Sequence, residues 1–286
     1  AYEQQIKFPD FSLPIEPEEL QSKYMPDTSV ASELPARLND PSSPKLSIRP
    51  HKFRYFEGDT LVVTAKITGL GEQDVSSVFA ALTARGETIG LATVYPVPET
   101  VHTYQLDFNP LQLNGVEWKE NITIDVEFQF LGDAYSRSAT IEYLNTIAKL
   151  EDVAPSEVQD EYLQIPVYVS TKKPGRHRLR ANLYDVSTGQ PLVHLRAEEI
   201  LNSANGILTM KAHIMALRES GSEGPYELRD MMLQRLPAEP DYITEYGRVD
   251  QAAFAVDGYR FSDYLDKPYV NQKALRIAKE LRLLGS

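Results

Sequence analysis

The chain has 286 residues, 42% of them hydrophobic and 24% charged, which is enough for one large domain or two ordinary ones with their own cores. Its formal net charge of −12 argues against nucleic acid and anionic lipid as partners, because both bind positive charge. The lack of cysteine excludes disulfides, thiolate catalysis and Cys-ligated metals. No apolar run reaches 18 residues, so no membrane span is predicted.

Residues 1–44 contain seven prolines, which interrupt helices and sheet ladders. Only Pro17–Tyr24 suits a short helix, with proline in its first turn. The segment also carries Phe8, Phe11 and Ile15, which are too apolar for a free linker. We therefore expect an extended, proline-rich arm that packs on the domains; docking of a partner is the alternative. Because the sequence begins at Ala1, removal of a signal peptide and shortening of the chain both stay open.

Residues 45–144 are predicted to form one β-sandwich. The clearest strand is 122–130, where every even position is apolar and every odd position is polar. This period of two is typical of a strand with one face on a core and one in water. Similar short strands separated by turn residues recur across 45–144 at a spacing of about 8–12 residues, which favours a sandwich.

Residues 145–265 repeat this plan, and the stretch Gly224–Leu233 anchors it. Proline sits where a strand begins, and Tyr226 follows at the place of the tyrosine that bonds back to a loop in β-sandwiches. The apolar phase changes between Leu228 and Met231, which predicts a bulge near 229–230 or cover on both faces. Leu236–Arg248 is predicted to be a long loop.

The predicted fold is all-β, with two tandem immunoglobulin-like sandwiches, because the two segments share strand order at offsets of 101 to 103 residues. Residues 266–286 are expected to hold a short C-terminal helix. Apolar residues recur there at intervals of three and four, with basic residues on the other side. Packing on the second domain is the expected role; membrane-surface binding is the alternative.

No catalytic motif is present, and no catalytic, cofactor or metal residues are assigned. The five histidines lack metal-ligand spacing, and no nucleophile elbow or phosphate loop occurs. A triad assembled from distant residues stays open. No cofactor is expected, although the acidic residues around 152–161 leave a structural calcium ion conceivable.

Five tyrosines cluster in and after the predicted long loop and form a candidate ligand surface. Exposed tyrosines supply flat, amphipathic contact area of the kind used for glycans and proteins. Packing against a sandwich edge is the alternative. The residues are Tyr242, Tyr246, Tyr259, Tyr264 and Tyr269.

Residues 145–265 resemble a bacterial immunoglobulin-like domain of exported proteins of unknown function. Four segments carry this resemblance: Pro174–Arg176, Leu179–Asp185, Gly189–Leu192 and Gly224–Leu228. These are turn and core residues, so they specify a fold and bring no catalytic residue. The resemblance implies a secreted or periplasmic protein with tandem domains.

The expected function is therefore non-enzymatic binding or scaffolding at the bacterial cell envelope, by a monomer whose partner is an unknown protein or glycan. Exposed strand edges or loop ends would provide the contacts. A carbohydrate-binding module based on the five tyrosines is one alternative. A hydrolase with an unrecognised triad is the other.

Overall fold

The computed structural model describes residues 7–25, 29, 33–37, 39–109, 121–202, 204–240 and 242–271. These residues form two compact units. The continuous unit comprises described residues of 27–145, and the discontinuous unit comprises those of 1–26 and 146–286. Both are built almost entirely of strands, which confirms the predicted all-β class. The helix expected over 266–286 lies largely outside the described residues.

The continuous unit is a set of nine strands paired in the order β2-β3-β5-β8-β7-β6-β9-β10-β4. All pairs are antiparallel except β10 with β4, which run parallel. The strands are β2 Leu34–Pro35, β3 Lys45–Pro50, β4 Arg54–Phe56, β5 Leu61–Thr68, β6 Val75–Ala84, β7 Glu87–Pro96, β8 Thr103–Phe108, β9 Asn121–Phe130 and β10 Asp133–Leu144.

Strand β9 shows why this unit folds as it does. Its even-numbered residues from Ile122 to Phe130 are at most 1% exposed, whereas its odd-numbered ones lie on the outer face. The alternation places five apolar side chains in one core together with residues such as Leu82 and Leu106. Burying each of these side chains contributes roughly 1.5–3 kcal/mol.

The discontinuous unit pairs its strands in the order β1-β15-β14-β17-β18-β11-β13-β12, with β16 on β13 and β19 on β17. Its one described α-helix, α1, spans Ile214–Ser220. The strands are β1 Ser12–Pro14, β11 Ala148–Val153, β12 Glu157–Gln159, β13 Tyr162–Thr171, β14 Gly175–Asp185, β15 Pro191–Leu201, β16 Asn205–His213, β17 Tyr226–Arg235, β18 Glu245–Val249 and β19 Ala253–Val256.

Tyr226 occupies the position that the sequence predicts. Its ring is 1% exposed, and its hydroxyl donates a 2.7 Å hydrogen bond to the backbone carbonyl of Ser222 in the preceding loop. Burial raises the pKa of this phenol. The bond ties the start of β17 to the turn before it, as the expected tyrosine corner requires.

The irregularity predicted in β17 is also present. The pairing of β14 with β17 slips between Arg180 and Asn182, opposite Met232 and Arg229. Asp230 lies in this interval with φ 52°, a left-handed conformation that asparagine and aspartate tolerate better than most residues. The bulge therefore turns the Asp230 side chain toward the face of β14 that bears Asn182.

One expectation for the discontinuous unit was wrong in detail, and one short helix was not predicted. The predicted loop 236–248 ends early, because β18 pairs with β17 from Glu245 to Gly247. Glu245 accepts hydrogen bonds from Arg235 and Lys173 there. Helix α1 was missed: it is only seven residues long, and its N-cap is His213, whose ring Nδ1 accepts from the Met215 amide at 3.1 Å.

The N-terminal segment is divided between the two units. Residues 7–25 pack in the discontinuous unit as β1 followed by a 3-10 turn, Pro17–Glu19, and a π-helical turn, Leu20–Tyr24. We call residues 7–25 the docked arm. From residue 27 onward the described segment belongs to the continuous unit. The short helix expected at Pro17–Tyr24 is present in these two forms.

Candidate functional site

Asn182 is the centre of a buried polar cluster on the face of β14 that the docked arm covers. Its side chain is fully buried. The amide nitrogen donates to the backbone carbonyl of Tyr24 at 2.9 Å and to Asp230 Oδ2 at 2.9 Å. The amide oxygen lies 2.8 Å from His194 Nδ1. All its polar atoms are thus paired, as a buried amide requires.

His194 supplies the second part of the cluster. Its Nδ1 donates to Asn182, since an amide oxygen only accepts. The Tyr24 ring packs against the imidazole with 4.6 Å between centroids. Burial, with the positive charges of Arg180, Arg196 and Lys23, lowers the pKa of His194 to about 4. The ring is therefore neutral at pH 7.

Asp230 and Tyr184 complete the cluster. The Tyr184 hydroxyl donates to Asp230 Oδ2 at 2.6 Å, and burial followed by this hydrogen bond raises the pKa of the phenol. The Arg229 guanidinium lies 5.0 Å from the centre of the Tyr184 ring. The left-handed backbone at Asp230 thus serves to place one carboxylate oxygen between the side chains of β14.

The docked arm also adds a strand to the edge of β15. Ser12, Leu13 and Pro14 lie opposite Leu195, His194 and Val193. The ladder continues outward from both ends, because Arg196 N donates to Phe11 O at 3.0 Å and Ile15 N donates to Leu192 O at 2.9 Å. Backbone pairing of this kind recognises an extended chain regardless of most side chains.

Side chains fix the docked arm in register. Phe8, Ile15 and Tyr24 are 3%, 7% and 4% exposed, so they are buried anchors rather than surface residues. Ser12 is fully buried, and its hydroxyl oxygen accepts from the His213 amide at 2.9 Å. The arrangement therefore combines a sheet edge, apolar pockets and the polar cluster around Asn182 in one extended binding site.

The five candidate tyrosines do not share one environment. Tyr242 is 65% exposed and donates to Glu239 at 2.9 Å. Tyr264 is only 6% exposed, and burial raises the pKa of its phenol. Tyr259 is partly buried and donates to the Ser156 carbonyl, and Tyr246 is partly buried within β18. Tyr269, also partly buried, packs edge-on to His213 at 6.0 Å.

A flat aromatic platform requires exposed rings, and of these five only Tyr242 has one. Tyr264 would have to leave the core to contact a ligand. A ligand role for the five stays a prediction, and the environments of four of them match the alternative of packing against the sandwich.

The histidines bond to amides, hydroxyls and carbonyls. His51 Nε2 lies 3.0 Å from Thr64 Oγ1, and His102 Nε2 donates to the Gly71 carbonyl. Buried His177 bonds to the Gly175 carbonyl and lies near the Thr171 hydroxyl. With His194 and His213, none of these ring partners is a carboxylate, so these contacts do not form the acid–base pair of a triad.

Within the described ranges, no group of three His, Asp or Glu side chains is arranged to hold a metal ion. This includes the acidic residues near 152–161. Glu161 instead pairs loosely with Lys267 at 3.8 Å, and Asp152 accepts from the adjacent Val153 amide. No described helix is long and apolar enough to cross a bilayer.

A second surface feature lies on β13 and β16 of the same unit. Tyr168 on β13 and Ile207 on β16 are directly opposite each other, and they are 44% and 47% exposed. They line an open depression together with Glu151 and Asn205. Gly206 also lines the depression, and a larger residue is disfavoured there, because an added Cβ would lie 2.6 Å from Cδ2 of the buried Leu201.

Comparison with known proteins gives structural neighbours only. No family model matches the chain, and no curated protein matches it. A DUF4785 family protein from Legionella pneumophila is similar at 16% identity, over 75% of this chain and 59% of that chain, with a TM-score of 0.49. The letters DUF denote a domain of unknown function.

Two titin structures are similar at lower scores. A fragment of consecutive titin domains shares 10% identity over 71% of this chain and 60% of its own, with a TM-score of 0.24. An I-band fragment of titin shares 11% identity over 75% and 65%, with a TM-score of 0.26. The chain thus spans less than two thirds of each neighbour. The neighbours include an uncharacterised family and immunoglobulin-like domains, and they carry no activity over to this chain.

The polar cluster was only partly predictable from the sequence. Asn182 lies in Ala181–Asp185, where every residue is buried in the structure, and the sequence pattern did not indicate this burial on both faces. The phase change after Leu228 pointed to the bulge that positions Asp230. Nothing in the sequence linked Tyr24 to His194 and Asn182, because the contact joins residues 158 positions apart.

Proposed function

We propose that this chain is a non-enzymatic binding or scaffolding protein of the bacterial cell envelope, made of two tandem immunoglobulin-like sandwiches. The strands of the two units can be matched in their order along the chain: β5, β6, β7, β8 and β9 correspond to β13, β14, β15, β16 and β17. Each also has one parallel pair, β4 with β10 and β11 with β18. Export to the periplasm or the exterior rests on the resemblance of residues 145–265.

The depression at Tyr168 and Ile207 carries the binding part of this proposal. An exposed tyrosine beside an exposed aliphatic side chain offers contact area at low entropic cost. The polar residues Glu151 and Asn205 line the same depression, and protein interfaces also combine apolar contacts with polar ones. The partner is therefore expected to be a protein with a small apolar anchor.

The test is capture from a bacterial envelope extract by the immobilised chain, compared with the double variant Tyr168→Ser/Ile207→Ser. Loss of about 2 kcal/mol at such anchors weakens binding roughly thirty-fold. Val186→Ser is the matched control, because Val186 is 47% exposed but lies in the turn after β14. Equal capture by all three proteins would refute this surface.

Two further measurements separate the parts of the proposal. Repeating the capture with and without calcium tests whether the metal contributes. Cell fractionation tests export, and recovery of the protein in the cytosol would overturn the envelope assignment while leaving the binding surface to its own test.

A further inference from the structure

The docked arm is held as a separate ligand would be held. It contributes a strand, three buried apolar anchors and a backbone carbonyl to a site that includes Asn182, His194 and His213. The ladder on β15 supplies the backbone contacts, and Asn182 supplies the bond to the Tyr24 carbonyl. These are the features of peptide recognition by strand addition.

The path of the chain separates the docked arm from its site. Residues 27–145, which lie between the arm and the rest of the discontinuous unit, form the continuous unit. When the arm leaves, only the β1–β15 pairing has to break, because β1 pairs with no other strand of the described residues. The same contacts would form with an arm from another molecule, and only the entropy of tethering favours the chain's own arm.

The outer edge of β1 is poorly suited to pairing with a further strand. Pro14 lies within the strand, and proline has no N–H to offer to a further strand. Pro9 lies just before it, where its carbonyl already accepts from the Ser12 amide at 3.0 Å. Once an arm occupies the β15 site, its outer edge does not pair with a further strand. Exchange of arms between two copies therefore gives a closed dimer.

We propose that the β15 site also binds residues 7–25 of a second copy of this chain, so that two copies exchange arms. The contacts are identical within and between molecules, so concentration sets the balance. A tethered segment has an effective concentration on the order of 1 mM. At about 0.1 mM chain, roughly a tenth of the sites should hold the arm of another copy.

The exposed ion pair between Asp10 and Arg196 provides the test. Their side chains meet at 2.7 Å, and Asp10 is 74% exposed, so replacing them costs little stability. The native chain has no cysteine. Two full-length single variants, D10C and R196C, are mixed at about 0.1 mM each and treated with a short bis-maleimide cross-linker. Each molecule then carries one thiol, so any link from position 10 to position 196 joins two copies.

Two controls make every outcome decisive. The double variant D10C/R196C should cross-link within one molecule in most chains, and failure to do so would show that the arm does not occupy the site. The mixture of D10C with V186C measures random collisions, because Val186 is 47% exposed in the turn after β14, near the start of β15, whereas the ladder places position 10 beside the C-terminal half of β15. A tenth of the chains linked between positions 10 and 196, well above that control, is expected. A yield equal to the control overturns the proposal.

Discussion

The side-chain amide of Asn182 donates a hydrogen bond to the backbone carbonyl of Tyr24, a residue 158 positions earlier in the chain. The bond joins the centre of a β-strand to a π-helical turn of the N-terminal segment. It makes the arm part of the folded unit rather than a tail. The cover that β14 needs for its second face is therefore supplied by residues 7–25.

Removing this amide should destabilise the unit. Asn182→Ala leaves the Tyr24 carbonyl and the His194 N–H without a partner and takes one of the two bonds from Asp230 Oδ2. A buried polar group without a partner costs about 1–3 kcal/mol, so a loss in the upper part of that range is expected. Urea unfolding followed by far-ultraviolet circular dichroism measures this loss in the free energy of unfolding.

The control for this variant is Gln190→Ala, an exposed turn position where the change should stay within about 0.5 kcal/mol. If both variants unfold at the same urea concentration, Asn182 does not hold the arm as described.

Removing the Tyr226 hydroxyl should lower the free energy of unfolding by less than Asn182→Ala does. Tyr226→Phe keeps the buried ring and removes only the bond to the Ser222 carbonyl, so the free energy of unfolding should fall by about 0.5–1.5 kcal/mol. Tyr226→Ala also removes the ring and should cost about 3–5 kcal/mol. Thermal unfolding of both variants provides the comparison.

Tyr242→Phe is the matched control, since that ring is 65% exposed and its hydroxyl bonds only to an exposed glutamate. A loss at Tyr226→Phe no greater than at Tyr242→Phe would contradict the corner role.

Local sequence patterns predicted the fold well for strands that have one buried face and one solvent-exposed face. The alternation in 122–130 became β9, and the Gly-Pro-Tyr stretch became the start of β17. The bulge at Asp230 was visible as a change of phase. These features depend on neighbouring residues, so a single sequence contains the information.

Contacts between residues far apart in the chain could not be predicted from the sequence. The docking of Phe8, Ile15 and Tyr24 depends on surfaces formed by residues far along the chain. Strand β18 was read as loop because Gly247 and the prolines before it resemble turn residues, yet Gly247 is needed for packing: an added Cβ would lie 2.6 Å from Leu233 Cδ2. The five tyrosines were grouped because they lie close together in the sequence, but tertiary packing gives them different environments.

A close backbone contact between Gly224 and Gly258 predicts a steric effect. A Cβ on Gly258 would lie 2.3 Å from the Glu223 carbonyl oxygen and 2.8 Å from Gly224 Cα. Because backbone atoms cannot rotate away, Gly258→Ala should cost at least about 1–3 kcal/mol and loosen the loop that Tyr226 closes. Chemical denaturation measures the loss.

Gly221→Ala separates steric clash from backbone strain. Gly221 has φ 71° but no atom within 4 Å of an added Cβ, so this variant should lose only about 1 kcal/mol. The clash is refuted if Gly258→Ala is as stable as the native chain.

Acid should destabilise the discontinuous unit before its carboxylates titrate. His194 has a pKa of about 4 in the folded state, against an ordinary value of 6.5. Between these pH values the unfolded chain binds a proton that the folded chain does not, so stability falls as the pH drops from about 6.5 toward 4. Burial lowers the pKa of His177 and His213 as well, which acts in the same direction.

For His194 alone, the expected loss between pH 7.5 and pH 5 is about 2 kcal/mol. The charges that face the ring are those of Arg180, Arg196 and Lys23, so a protonated imidazole would add a fourth positive charge beneath the arm. His194→Asn keeps a donor for Asn182 but takes up no proton, and its urea midpoint should shift less between the two pH values. An equal shift in the variant and the native chain would mean that His194 is not the group that loosens the arm in acid.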